Sequence, residues 1–137
     1  MKPLLLFFTV LLSWMIVSCA TVQTYEGDPL SPEGIAVIKS NYWGHLTGGI
    51  IVREIDGKDV GINPGDVHVL PGMHTVKIRV THSLGYLGTI MASGTVNLSA
   101  EAGHTYMVDG RIHGFGEHVW IWIVDEETGQ VVAGMKP

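Results

Sequence analysis

Cysteine is nearly absent from this chain: 137 residues contain one, Cys19. A single thiol excludes an intrachain disulfide and a cysteine-cluster metal site. Charge is also scarce. Charged residues make up 15% of the sequence, with thirteen acidic against eight basic side chains and a formal charge of −5. No basic patch or stripe breaks that balance, so nucleic acid is not an expected partner. Beyond the first eighteen residues, apolar side chains do not recur at i, i+3, i+4, i+7 over a useful length, which argues against a helical body. No repeat of solenoid length is visible. No nucleophile elbow, zinc-protease motif or phosphate loop is found. The chain is therefore expected not to be an enzyme and to need no cofactor.

What the chain does have begins with an apolar run. Lys2 and the chain amine form a small positive head, and Leu4 to Val17 is uncharged and apolar apart from Thr9 and Ser13. That is the layout of an export signal. As a helix, Leu4 to Val17 would reach only about 21 Å at about 1.5 Å per residue. A bilayer core is about 30 Å thick, so a permanent span is disfavoured. Past Cys19 the chain turns polar at once through Thr21, Gln23, Thr24, Glu26 and Asp28, without a basic stop-transfer cluster. On the residues alone, Cys19 is either incidental to a cleaved signal or its modified end.

Ile16-Val17-Ser18-Cys19 resembles a bacterial lipobox: an aliphatic residue, a tolerant position, a small residue, then the cysteine. The resemblance implies that diacylglycerol is added to the Cys19 thiol, that the signal is cut before it, and that the new amine is acylated, for instance with palmitate. More than one acyl chain gives stable membrane anchoring. By the same resemblance, Ala20 is not the aspartate that retains lipoproteins at the inner membrane, so an outer-membrane anchor facing the periplasm is implied. The expected organisation is a signal peptide over 1–18, a lipidated cysteine and tether over 19–32, and one domain over 33–137. Pro29 and Pro32 with Gly27, Asp28 and Ser31 suit a tether. Ala20 to Pro32 could stretch at most about 45 Å.

The rest reads as strands and turns. Ile35 to Ile38 is a short β-branched run. Asn41 to Gly49 is a glycine-rich loop carrying Tyr42 and Trp43. Ile50 to Ile55 is a strand that ends in Asp56-Gly57, the dipeptide suited to a two-residue hairpin. Pro71-Gly72 fits a type II turn. Met73 to Thr81 then alternates, with His74, Val76, Ile78, Val80 and His82 on one face and Thr75, Lys77 and Arg79 on the other. Ser83 to Gly94 is glycine-rich with an apolar tip. Thr95 to Ser99 and His104 to Ile112 resume alternation. His113 to His118 turns the chain into Val119 to Val124, which is apolar on both faces. The pattern predicts an all-β chain, a two-sheet antiparallel β-sandwich, with a small closed barrel as the alternative.

Ile55-Asp56-Gly57, Leu70 to Val76 and Gly85-Tyr86 resemble the PEGA-type surface β-domain over roughly residues 50–86. Ala102 to Tyr106, Ile123 to Val132, Tyr25-Glu26-Gly27 and Ala36 to Ile38 resemble a group of small uncharacterised bacterial lipoproteins. These resemblances imply a sandwich of transthyretin or immunoglobulin type without known catalysis. The long C-terminal half departs from a stand-alone PEGA unit.

Two candidate sites emerge. Tyr42, Trp43, Tyr86 and Phe115 all fall at expected turns, and loops of a sandwich gather at its two ends. Flat rings could stack on sugar faces, such as peptidoglycan, or anchor a protein partner; alternatively they cover the open ends of the core. His113, Glu117 and His118 flank one turn and could hold zinc with an open position, or simply face solvent. His74 and His82 lie about 26 Å apart along one strand and cannot share an ion. The expected function is that of a non-enzymatic envelope lipoprotein acting as a structural or interaction module. Glycan binding and histidine-based metal binding are the alternatives.

Overall fold

The computed structural model describes residues 21–45, 48–62 and 64–137. The expected signal peptide and Cys19 lie outside the described residues. Among the described residues, eleven strands run in chain order: β1 (Val22–Gln23), β2 (Ala36–Lys39), β3 (Asn41–His45), β4 (Gly48–Ile55), β5 (Lys58–Asp59), β6 (Val67–Val69), β7 (Gly72–Ser83), β8 (Thr89–Ala100), β9 (Thr105–His113), β10 (His118–Asp125) and β11 (Val131–Gly134). They form two sheets. One has the order β1-β6-β2-β9-β10-β11; the other has β3-β4-β7-β8, with β5 paired to β4. The body is therefore all-β and sandwich-like. The separate sheets and their free edges set aside the closed barrel.

Alternation builds the core. On β7, Val76, Ile78 and Val80 are buried while Thr75 is exposed, as its period-2 pattern requires. Leu98 from β8, Val52 from β4, and Tyr106 and Val108 from β9 meet them between the sheets. Small residues set the spacing. A Cβ on Gly94 would stand 2.6 Å from Ile121 Cδ1, and one on Gly110 would stand 2.6 Å from Val80 Cγ2. Glycine at these two facing positions lets the layers close to native packing density.

Turn chemistry holds at Asp56-Gly57. Asp56 (φ 52°) and Gly57 (φ 79°) both take positive φ and join Ile55 to Lys58 in a two-residue hairpin. The type II turn expected at Pro71-Gly72 is not formed: the chain only bends at Pro71, and Gly72, at φ 128°, already begins β7 as the partner of Ala100.

Four further features differ from the reading of the sequence. The sheets are not wholly antiparallel, because β1 pairs β6 and β2 pairs β9 in parallel. Val22–Gln23, inside the stretch expected as a tether, is a strand; Thr24 Oγ1 donates to the His68 carbonyl at 2.9 Å beside it. Asn41–His45, expected as a loop, is a strand on the edge beside β4. The expected loop from Ser83 to Gly94 shrinks to residues 84–88, because β7 and β8 pair one-to-one over twelve positions, from Gly72↔Ala100 to Ser83↔Thr89. That long register outweighs the glycine-rich composition.

Candidate functional site at the hairpin end

The two ends of the sandwich differ in chemistry. At one end lie the turn after β4, the start of β7, and the turns 101–104 and 126–130. At the other, the β7–β8 and β9–β10 hairpins turn side by side.

The first end is polar and tightly bonded. Asp125 is buried at the end of β10. Its Oδ2 lies 2.7 Å from His104 Nδ1, and its Oδ1 accepts the Glu127 N–H at 2.9 Å. His104 Nε2 faces Glu101 Oε2 at 3.4 Å. The His104 pKa is raised above 6.5: the hydrogen bond to Asp125 favours the cation, desolvation opposes it, and the charges of Asp125, Glu101 and Glu127 add to the rise. The ring stacks on Tyr106, whose hydroxyl accepts the Glu101 N–H at 2.9 Å. Burial pushes the Tyr106 pKa up, against the Glu101 hydrogen bond, and the neighbouring acids add to the rise. The neighbouring brace ties Asp56 to β7. His74 Nδ1 lies 2.7 Å from Asp56 Oδ2, Thr75 N–H donates to Asp56 Oδ1 at 2.8 Å, and His74 Nε2 bonds the Leu70 carbonyl at 2.6 Å. Desolvation works against ionisation of Asp56, but the bonds from His74 and Thr75 and nearby positive charge outweigh it and hold the carboxyl below 3.8. These polar groups fasten turns to strands.

The second end presents apolar side chains to water. In the β7–β8 tip, the Leu84 N–H donates to the Gly88 carbonyl at 2.8 Å, and Gly85 and Gly88 take positive φ. That closure thrusts Tyr86 and Leu87 outward; they are 97% and 67% exposed. The β9–β10 tip uses Gly114 and Gly116 at positive φ and holds Phe115 78% exposed. The tips adjoin: a Cβ on Gly116 would stand 3.5 Å from Ile90 Cγ2, at the start of β8. Tyr86, Leu87 and Phe115 thus share one end of the body.

Of the expected aromatic set, Tyr86 and Phe115 come together there. Tyr42 does not join them as a free loop residue: it is half-buried on β3, and its hydroxyl donates to the Pro64 carbonyl at 2.7 Å. The Trp43 side chain lies outside the described residues. Leu87, part of the apolar tip expected over Ser83 to Gly94 but not of the candidate aromatic set, joins this end. The signal was present in its place between two glycines, where a tight turn leaves an apolar side chain no interior to enter.

The zinc arrangement expected of His113, Glu117 and His118 does not assemble. The two histidines are direct cross-strand partners, but both rings lie against Trp120, at centroid distances of 5.9 and 6.0 Å. The Glu117 carboxylate folds back over Gly114, with Oε2 3.0 Å from where a Cβ there would sit. Among the described residues, no group of three His, Cys, Asp or Glu side chains is placed to hold a metal ion.

No protein-family model, curated protein or solved structure matches the chain.

Proposed function

We propose that this chain is a lipid-anchored protein of the bacterial envelope whose β-sandwich, of transthyretin or immunoglobulin type, is a non-enzymatic interaction module. Cys19 carries the acyl chains, and the outer membrane, on its periplasmic side, is its place. The hairpin end is its contact surface. One observation carries this reading: Tyr86, Leu87 and Phe115 stand exposed on adjoining tips. The paired hairpins hold them out of the core, where apolar rings gain only by meeting a partner. The polar end supports the non-enzymatic part, because its histidines and acids serve as turn braces.

The test uses the full chain in its native membrane. Chemical cross-linking should capture an envelope partner with the parent protein. The Tyr86→Ser, Phe115→Ser double variant should fold, localise normally and lose that product. Unchanged cross-linking would reject the hairpin end as the contact surface. Peptidoglycan co-sedimentation with the same pair of proteins tests the glycan alternative, which the stacking face of the exposed Tyr86 ring favours. Retention with peptidoglycan that disappears in the double variant would replace the protein partner with a glycan.

A further inference from the structure

Strand β8 is an edge of unusual character. It pairs only with β7 and leaves its other side unpaired among the described residues. The remaining edges are short: β1 and β5 have two residues each, β11 four and β3 five. β8 has twelve, Thr89–Ala100. Soluble proteins protect such edges with charge, proline, bulges or brevity. β8 has no charged residue and no proline, and its pairing with β7 shows no bulge.

Its free backbone groups can be placed. The Thr75 carbonyl accepts the Asp56 N–H at 2.8 Å, so Thr75 directs its backbone towards β4. Its partner Asn97 therefore directs N–H and C=O away from β7. By alternation, Thr89, Met91, Ser93, Thr95 and Ser99 do the same. A groove of about 560 Å³ runs beside this edge, lined by Gly94, Thr95, Trp120, Gly134 and Met135 among others. Met91 and Met135 stand exposed close to the edge.

We infer that β8 pairs antiparallel with β8 of a second copy about a two-fold axis. The occupant follows from the edge itself. Only an extended backbone satisfies a row of alternating donors and acceptors, and an antiparallel edge is complementary to its own image under a two-fold. With the signal cut before Cys19, as proposed, Lys2 is lost and each copy carries seven basic against thirteen acidic side chains, a formal charge of −6 that opposes association in general. β8 brings no charge to the contact and escapes the penalty for like charges set opposite. An axis at Gly94 uses nearly the whole strand: Ser93 meets Thr95 of the partner subunit, Met91 meets the partner's Asn97, and Thr89 meets the partner's Ser99. The two five-stranded sheets become one of ten, and a closed two-fold leaves no β8 edge to recruit further copies.

Sedimentation of the full chain in density-matched detergent tests this. The parent protein should be a dimer at micromolar concentration. Thr95→Lys and Thr95→Asp change an exposed side chain on the outer face of β8, and each alone should weaken self-association by about two- to fivefold. Mixing the two variants should restore the dimer, because opposite charges then lie diagonally across the axis, within reach of long side chains. A monomeric parent overturns the proposal, as does a dimer indifferent to both variants, which places the interface elsewhere. Open-ended polymers, or a failure of the mixture to recover, also overturn it. So does a β8 edge occupied by a foreign extended peptide that co-purifies with the monomer and is lost in the Thr95→Lys variant.

Discussion

At the scale of the residue, the glycines divide by what surrounds them. Gly134 takes φ 74°, and a Cβ there would press into the Ile121 carbonyl and stand 2.8 Å from Trp122 Cα. Backbone cannot step aside, so Gly134→Ala should cost about 2 kcal/mol or more in chemical denaturation. Gly94 meets only the far end of the Ile121 side chain at 2.6 Å, which can rotate; Gly94→Ala should cost about 1 kcal/mol. Equal losses at the two positions would refute this ranking. His104 supplies a pH signature. A histidine whose pKa is raised by folding contributes stability that is complete below its unfolded value of 6.5 and is lost as pH climbs through the folded value. The melting temperature of the parent should therefore fall as pH rises through the window above 6.5. In Asp125→Asn, the melting temperature should be lower throughout and this slope should flatten. A slope that survives unchanged in Asp125→Asn would assign the pH dependence to another group. Trp122 is an exception to the general satisfaction of polar groups. It is 4% exposed, Lys136 Nζ lies 6.0 Å from its ring, and its buried Nε1 has no hydrogen-bond partner among the described residues.

At the scale of the element, the hairpin tips are separable from the fold. Tyr86 and Phe115 touch water more than protein, so Tyr86→Ser, Phe115→Ser should change stability by no more than about 0.5 kcal/mol. A large loss on denaturation would show instead that these rings close the end of the core. The strands themselves show what a sequence discloses. β7 was readable because His74, Val76, Ile78, Val80 and His82 alternate without interruption and one face is buried. The Asp56-Gly57 turn was readable because backbone φ is a local property of the residue. β3 was not: Asn41–His45 extends because β4 offers it a partner, and pairing between strands is not written in either strand alone. The start of β8 was hidden in the same way, since its register is set by β7 and overrides the glycines at 85, 88 and 94. The zinc arrangement failed for a related reason. Spacing correctly set His113 opposite His118, but Trp120, on the same face of β10 as His118, drew both rings onto itself.

At the scale of the whole molecule, the short strand β1 changes how an anchored body would sit. Its residues were expected to be slack chain. Instead Val22 N–H donates to the Asp66 carbonyl at 2.9 Å and Thr24 N–H to the His68 carbonyl at 3.1 Å. With acyl chains on Cys19, as proposed, only Ala20 and Thr21 would separate the lipid from the first fixed strand. That is about 10 Å of reach from Cys19 to Val22, against about 45 Å for a free tether to Pro32. The body would ride against the bilayer, with its orientation limited by the sheet edge that holds β1. Acylation of Cys19 leaves no other thiol in the chain, so Thr128→Cys, in the exposed turn before β11, gives a single labelling position. Energy transfer from a fluorophore there to an acceptor in the lipid headgroups should be strong for the parent chain. A flexible Gly/Ser insertion of about twelve residues between Thr21 and Val22 adds roughly 20 Å of mean reach and should lower the transfer clearly. Cys19→Ser should leave an unprocessed, unlipidated precursor. If the insertion leaves the transfer unchanged, something other than a short link at β1 sets the distance between body and bilayer. If Cys19→Ser still fractionates with membrane as a processed protein, the anchor is not at that sulfur.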